Sequence, residues 1–524
     1  MIQQLAPGAF PRCGPSRGAC PYPFNGSIYH DNKRKMKKHY PYKTRNKSLT
    51  GALAILLYTV SLLPGCKKLV QIPAPTTELA SGSVLSNNLT ATAAVLNIYS
   101  QMFNNYESFS MAEAMGSYAD ELTAYDNMND VYNELYTNSL LAKQSPGPWV
   151  NAYNYIYQAN SIISGLQTSG GCSPAVKQQL TGESYFIRAF WHFYLTNIYG
   201  DVPLVLTPSY TTNATLSRTP RLAVLQQVAA DLQKADSLLN SNYVDFSDTA
   251  TTTERVRPNQ ASALALLARV YLYLGDYSQN PVYYAEADSV ASLVIGNSNY
   301  SLSPINGVFL ANSTEAIWQI QTTQPPPPAD TYDGYYFILL GAPVTYTDQN
   351  GTSISPQLLA AFEPNDLRQT TWISSITGNG TTFYFPYKYQ QNTYVGLEYT
   401  MVLRLGEQYL IRAEARAHDG NLTGANQDLD TIRNRAGLAD TLVSSAPALL
   451  AAILHERQVE LFTEWGARWF DLCRTGNANA VMGAPGNVCS SKGGVWGSSG
   501  DQLLFPLPLS DVLADPNLHQ NQGY

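Results

Sequence analysis

From about Ala91 the chain alternates apolar and polar positions with a helical period. Ala94, Val95, Ile98, Tyr99 and Met102 recur at spacings of one, three and four, which predicts an amphipathic helix. Trp149 to Leu166 reads the same way, with Tyr153, Ile156, Tyr157 and Asn160 on one side. The run GESYFIRAFWHFYLTNIYGDVPL (182–204) predicts a strongly apolar helix stopped by Gly200 and Pro203. Two further stretches each predict two helices around a turn. In 257–295, Ala263, Leu267, Val270 and Tyr271 form one apolar face, and Ala285, Ala287 and Val290 contribute to the other. Gly275, in Leu274-Gly275-Asp276-Tyr277, is expected to end the first of these helices. In 404–437 the turn falls at Gly420.

The two helix-pair stretches run to 39 and 34 residues, close to the tetratricopeptide-type period. The expected fold is therefore mainly α, with tetratricopeptide-like helix pairs forming a scaffold. Two stretches break the pattern. Residues 104–148 are rich in Tyr, Asn and Ser and predict no clear element. Residues 321–400 open with four prolines (325–328) and carry scattered Gly and Tyr, which predicts long loops with short strands around TTFYFPYKY. Long loops on a rigid scaffold are where binding concentrates.

Charge changes the picture at the N-terminus. The 524 residues carry a formal net charge of −7, but residues 1–65 hold ten Lys/Arg and one acid, Asp31. The rest keeps 22 basic against 38 acidic residues, a net charge of −16, which argues against a nucleic-acid partner. Lys37, Lys38, Lys43, Arg45 and Lys47 precede an apolar run from Leu49 to Leu63, the layout of a signal peptide and too short for a comfortable bilayer span. The run ends in Leu63-Pro64-Gly65-Cys66, which resembles a bacterial lipobox with Cys66 as the lipidated residue. Acylation would anchor the chain to a membrane without spanning it. Residues 1–35 fit no such segment, and Met36 is the expected initiator.

Motifs for a nucleophile elbow, a P-loop, a dinucleotide fold or a zinc protease are absent from the sequence. No Cys/His set has zinc spacing, so no metal or cofactor is implied, although the loops could take a structural calcium. Cys473 and Cys489 could pair or stand as free thiols. His192 lies in an aromatic run and reads as a core histidine. The segment HERQVELFTEWGARWFDLCRTG (455–476) is expected to be helical, with Glu456, Glu460 and Glu464 on one face. Arg457 sits three before Glu460, Arg468 four after Glu464, and Asp471 three before Arg474, a structural charge ladder. Two of the glutamates could instead serve a glycoside hydrolase, but neighbouring arginines would hold them ionised, whereas a general acid needs a raised pKa. The aromatic loops carry the sharper idea. Sugar rings present apolar C–H faces that stack on Tyr and Trp. The candidates are Tyr125, Tyr132, Tyr136 and Trp149, then Tyr332, Tyr335, Tyr336 and Tyr346.

The chain resembles the SusD/RagB family of outer-membrane nutrient-binding lipoproteins. The residues that carry the resemblance begin with the lipobox at Cys66, Arg188-Ala189-Phe190 and Tyr199-Gly200-Asp201-Val202-Pro203-Leu204. Next come Ala268-Arg269-Val270-Tyr271-Leu272, Asn312-Ser313-Thr314-Glu315-Ala316-Ile317-Trp318, Asp366-Leu367-Arg368 and Lys388-Tyr389. Then follow Arg404-Leu405-Gly406-Glu407, Ile432-Arg433-Asn434-Arg435-Ala436-Gly437, Arg468-Trp469-Phe470-Asp471-Leu472, Phe505-Pro506-Leu507-Pro508 and Gln520-Asn521-Gln522-Gly523-Tyr524. The resemblance implies partnership with a SusC-like TonB-dependent β-barrel transporter, a glycan ligand captured without cleavage, and attachment to the outer membrane through lipid. Lys67-Lys68 after the cysteine depart from the acids often found there in surface-exported relatives. The expected organisation is a mis-assigned upstream start (1–35), a signal peptide (36–65), a tether (66–90), an N-terminal half (91–215), helix pairs (216–300) and a C-terminal half (301–524) that includes the loops 321–400. The competing expectations are a lipid-anchored hydrolase, a binder of peptide or another nutrient, and an adaptor that binds protein alone.

Overall fold

The helical periods of the sequence become a stack of helices. In the computed structural model, the described residues are 84–125, 130–248, 250–322, 328–343, 351–483, 487–497 and 499–524. They belong to one unit, Ala74–Tyr524. The longer helices are α1 (Asn88–Asn104), α2 (Glu107–Tyr118), α3 (Trp149–Thr168), α4 (Pro174–Tyr199), α5 (Arg221–Leu238), α6 (Gln260–Ser278) and α7 (Val282–Ile295). They continue as α8 (Leu405–His418), α9 (Leu422–Arg435), α10 (Ala446–Glu460) and α11 (Ala467–Arg474). Each helix from α3 to α9 packs on the next in order, the contact pattern of a tetratricopeptide-like array. The second half of α4 is predominantly apolar and buried on all sides from Phe186 to Tyr199, with Arg188 inside it paired to Asp231 at 2.7 Å. Phe190, Trp318 and Trp465 meet edge to face in the core around it.

The strands are short and pair two by two. They are β1 (Leu122–Ala124), β2 (Val202–Pro203), β3 (Arg218–Thr219), β4 (Ala316–Ile320), β5 (Thr352–Ile354), β6 (Ile373–Gly378), β7 (Thr381–Pro386) and β8 (Thr400–Arg404). All four pairs are antiparallel: β1 with β5, β2 with β3, β4 with β8, and β6 with β7. Asn379 and Gly380 join β6 to β7 with φ of 52° and 79°, the left-handed pair that a two-residue hairpin needs.

Several boundaries differ from expectation. The first long helix begins at Asn88, capped by the Asn87 side chain on the Thr90 amide, so the end of the supposed tether belongs to the fold. Residues 104–148 hold α2, β1 and a short helix at Asp130–Tyr136. The stretch 321–400 carries the expected strands and also short helices at Tyr332–Phe337, Pro356–Ala361 and Leu367–Thr371. Gly275 lies inside α6 rather than ending it; Gln279, at φ 55°, is the cap. A Cβ on Gly275 would stand 2.6 Å from the Tyr284 ring, so glycine is needed there for close approach.

Candidate functional site

Two local devices build an aromatic face on the scaffold. The first is the junction of α1 and α2. Tyr106 caps α2 with a left-handed backbone, φ 43°, and its ring is 43% exposed. The second is the helix Tyr332–Phe337. Thr331 Oγ1 accepts the Gly334 amide at 2.9 Å and starts it. These elements bring Tyr106 to 5.1 Å from Tyr332 and 6.1 Å from Tyr336, centroid to centroid. Tyr336 stacks on Phe109 at 4.4 Å, and Tyr335 meets Tyr336 edge-on at 5.0 Å. Phe109, Phe337 and Leu122 fill the space beneath.

A neighbouring segment is fastened to this helix by one buried carboxylate. Asp330 accepts the amides of Val395 and Gly396 on Oδ1, and those of Leu397 and Glu398 on Oδ2, at 2.6–3.1 Å. Glu398 in turn accepts the Gln390 and Gln391 amides. A Cβ on Gly334 would lie 2.4 Å from the Gln391 carbonyl, so the segment runs directly against the helix. It presents Tyr394, Val395 and Leu397, each about half exposed.

A second aromatic group sits on the β1–β5 pair and the β6–β7 hairpin. The Tyr125 hydroxyl lies 2.9 Å from Ser353 Oγ, and the ring meets Phe383 edge-on at 5.8 Å. Tyr136 bonds Thr123 and lies near Tyr125, with the Lys492 ammonium 5.3 Å from its ring. Ile338 and Leu339, directly after the Tyr332–Phe337 helix, pack beside Phe385 and Phe383 of the hairpin. The two aromatic groups are thus joined by continuous packing.

The structure therefore gathers Tyr332, Tyr335 and Tyr336 at one place and Tyr125 and Tyr136 at another. Tyr132 packs half-buried against the main core. Trp149 is corrected: it is 4% exposed, donates Nε1–H to Asp511, and is wedged between Tyr153 and Tyr199. It belongs to the interior and has no face to offer a ligand. Tyr346 and Cys66 lie outside the described residues. Sequence reading missed Tyr106, Phe109 and Phe383, although they lie in the two stretches, 104–148 and 321–400, that break the helical pattern. It also missed Asp330, whose role depends on amides some 65 residues away.

The acids at 456–464 serve another purpose. Helix α10 ends at Glu460, so Glu464 lies beyond it, in the turn before α11. Glu460 accepts Arg404 at 2.5 Å and Arg368 at 2.9 Å, and also pairs with Arg435. Burial alone would raise its carboxyl, but Arg435, Arg404 and Arg368 hold it well below the usual range. Glu464 is likewise held low against burial by Arg404 and Lys388. Glu456, raised by burial, bonds Arg368 at 2.6 Å and Arg433 at 3.2 Å. The side chains of Glu456 and Glu460 are closed off from solvent, so a hydrolase built on these glutamates has no way to meet a glycan. The ladder also pairs differently from its spacing. Arg457 bonds Asp471 rather than Glu460, and Arg468 bonds Asp120 rather than Glu464, each at 2.7 Å. Arg457 projects toward α11, and Arg468 reaches back to the end of α2. Asp471 and Arg474 do pair, at 2.8 Å.

His192 is buried among core aromatics and pushed down to about 3 by burial, with Val205 N–H donating to Nε2. Cys473 and Cys489 are separate thiols, donating to the carbonyls of Leu503 and Thr137. Two trios among the described residues converge enough for a metal, Asp276–Glu414–His418 and Glu363–His455–Glu456. Arg474 bonds both acids of the first and Arg433 both acids of the second, so each already holds a guanidinium counterion. Among the described residues no helix is long and apolar enough to cross a membrane.

Two family models match. One, described as "SusD family", covers residues 346–524, and the other, "Starch-binding associating with outer membrane", covers residues 74–272. SusD-like protein P38 of Formosa agariphila is 23% identical over 92% of this chain and its own full length. A SusD superfamily structure from Parabacteroides distasonis superposes with a TM-score of 0.69 at 22% identity, covering 85% of this chain and all of that one. A laminarin-binding SusD-like protein superposes with a TM-score of 0.65 at 24% identity, over 83% of this chain and 98% of its own. With both ends of the fold matched in order, on a helical scaffold shared with these structures, the chain belongs to the SusD/RagB family.

Proposed function

We propose that this protein is a non-catalytic glycan-binding lipoprotein of the outer membrane, anchored through Cys66, which passes an oligo- or polysaccharide to a SusC-like TonB-dependent transporter. The observation that carries the reading is the partly exposed tyrosine group of Tyr106, Tyr332, Tyr335 and Tyr336, held by a capped helix and an Asp330-pinned segment. Stacking of sugar C–H faces on such rings supplies affinity without any reacting group. The laminarin-binding relative and the starch-binding description of the family model support a glycan as ligand. The acids nearest to hydrolase spacing are locked in ion pairs, which fits capture without cleavage.

Calorimetry of the mature chain against a panel of soluble glycans tests the binding. At least one glycan is expected to bind, and Tyr332→Ala with Tyr336→Ala is expected to weaken it by about tenfold or more, on the order of 1–3 kcal/mol per lost stack. Binding unchanged in that double variant would move the site elsewhere. Release of reducing sugar by the purified chain would overturn the non-catalytic reading. Co-purification with a β-barrel transporter from outer membranes, lost on Cys66→Ala, tests the anchor and the partner.

A further inference from the structure

The aromatic face carries an unusual charge pattern. No Lys or Arg occurs from residue 69 to 142, nor from 270 to 367, while these stretches hold eight and nine acids. Between 369 and 403 the sole cation is Lys388. These stretches supply Tyr106, Tyr125, Tyr136, the Tyr332–Phe337 helix, the β6–β7 hairpin and the Tyr394 segment. Lys388 is not available to a ligand. It is buried, donates to the Glu460 carbonyl at 2.8 Å and to Glu464 at 2.5 Å, and sits 4.0 Å from the Phe462 ring. Lys492, beside Tyr136, is also turned inward, donating to the carbonyls of Ser117 and Tyr118.

We infer that the glycan recognised by this face is uncharged, and that polysaccharides bearing uronate or sulfate groups are excluded. The inference rests on the glycan-binding reading above. A carboxylate or sulfate is normally met by the guanidinium fork of Arg or by a Lys ammonium. Desolvating such an anion against aromatic rings whose own segments supply no free cation costs several kcal/mol, and the exposed Lys143, next to Gln144, lies just beyond them. The net charge of −16 over residues 66–524 adds repulsion. A neutral hexose or pentose polymer meets neither cost. Its C–H faces stack on the rings, and its hydroxyls bond amide and hydroxyl groups along the rim.

Affinity measurements separate the two ligand classes. The mature chain is titrated with neutral polymers (a β-1,3-glucan, starch, a galactomannan and an arabinoxylan) and with anionic ones (alginate, polygalacturonate and a carrageenan), at about 20 mM and about 500 mM salt. A neutral polymer is expected to bind with a Kd that changes less than about twofold between the two salts. The anionic polymers are expected to bind at least about 100-fold more weakly at low salt, where repulsion is least screened. An anionic polymer that binds as tightly as any neutral one, and loses affinity in salt, overturns the inference while leaving glycan binding intact. Failure of every polymer to bind overturns the glycan reading itself, and this inference with it. Neutral binding that survives Tyr332→Ala with Tyr336→Ala overturns the assignment to this face.

Discussion

Glu460 shows how a residue can look catalytic in sequence and be structural in the fold. Its carboxylate is shared by Arg368, Arg404 and Arg435, which are also paired with Asp366 and Glu456, with Glu315 and Glu464, and with Glu315, respectively. Glu460→Ala would remove the one acid that these three buried guanidinium groups share, and is expected to cost about 3–5 kcal/mol in denaturant unfolding. Glu363→Ala removes the half-exposed partner of Arg433 and is expected to cost less than about 1 kcal/mol. Equal losses in the two variants would mean that Glu460 does not organise the cluster. Glycines separate in the same way. Gly275→Ala must displace the Tyr284 ring and is expected to cost about 1–3 kcal/mol. Gly420→Ala meets open space but a φ of 80°, so its cost is expected to be only the left-handed strain, about 1 kcal/mol. At this scale the sequence was legible where the cause was local. Gly420 at a turn and Asp471 three before Arg474 follow from neighbours in the chain. The pairing of Arg468 with Asp120 spans nearly 350 positions, and no spacing rule reaches that far.

Elements carried more of their cause in the sequence than single residues did. The helical period marks α3 and both helix pairs because burial on one face leaves a 3.6-residue trace, whereas α4, buried on all sides over its second half, shows as an apolar run. The Asn379-Gly380 hairpin is equally local. The short Tyr332–Phe337 helix was read as loop because six residues leave no period, and proline and glycine flank it. Its position is set from a distance, by Gly334 against the Gln391 carbonyl and by Asp330 on four amides. Asp330→Ala is therefore expected to speed hydrogen exchange at Val395, Gly396, Leu397 and Glu398 by one to two orders of magnitude, with about 1–3 kcal/mol lost per charged bond left unmade. The same variant should weaken glycan binding while the helix pairs keep their protection. Unchanged exchange at these four amides would show that the segment is held by something other than Asp330.

Over the whole molecule, a set of carboxyls is buried without a full complement of cations, mostly around the aromatic face. Burial raises Glu107 to about 7, Glu113 to about 8, Glu121 to about 8, Asp333 to about 7 and Glu398 to about 7. In the unfolded chain these groups titrate near 4. Between the two values the folded chain holds protons that the unfolded chain has released, so their contribution is complete below about pH 4 and is lost as pH rises toward 8. Glu460, Glu464 and Asp471 lie on the other side: held below their usual range, they withdraw stability as pH falls into the acid range. His192, at about 3, adds stability as pH rises from 3 to 6.5, but it is one group against five. Lys492, lowered by burial to about 7, opposes the decline only above that pH. The melting temperature is therefore expected to peak near pH 5 and to fall by pH 7. Glu113 isolates the cause, because burial alone shifts it and no cation stands near. Glu113→Gln keeps the shape and removes the proton, so it should match the parent chain near pH 5 and exceed it near pH 8 by on the order of 3 kcal/mol. Parallel pH profiles for the two proteins would show that Glu113 stays ionised in the folded chain, and would remove one of the two largest contributions to an acid-side optimum.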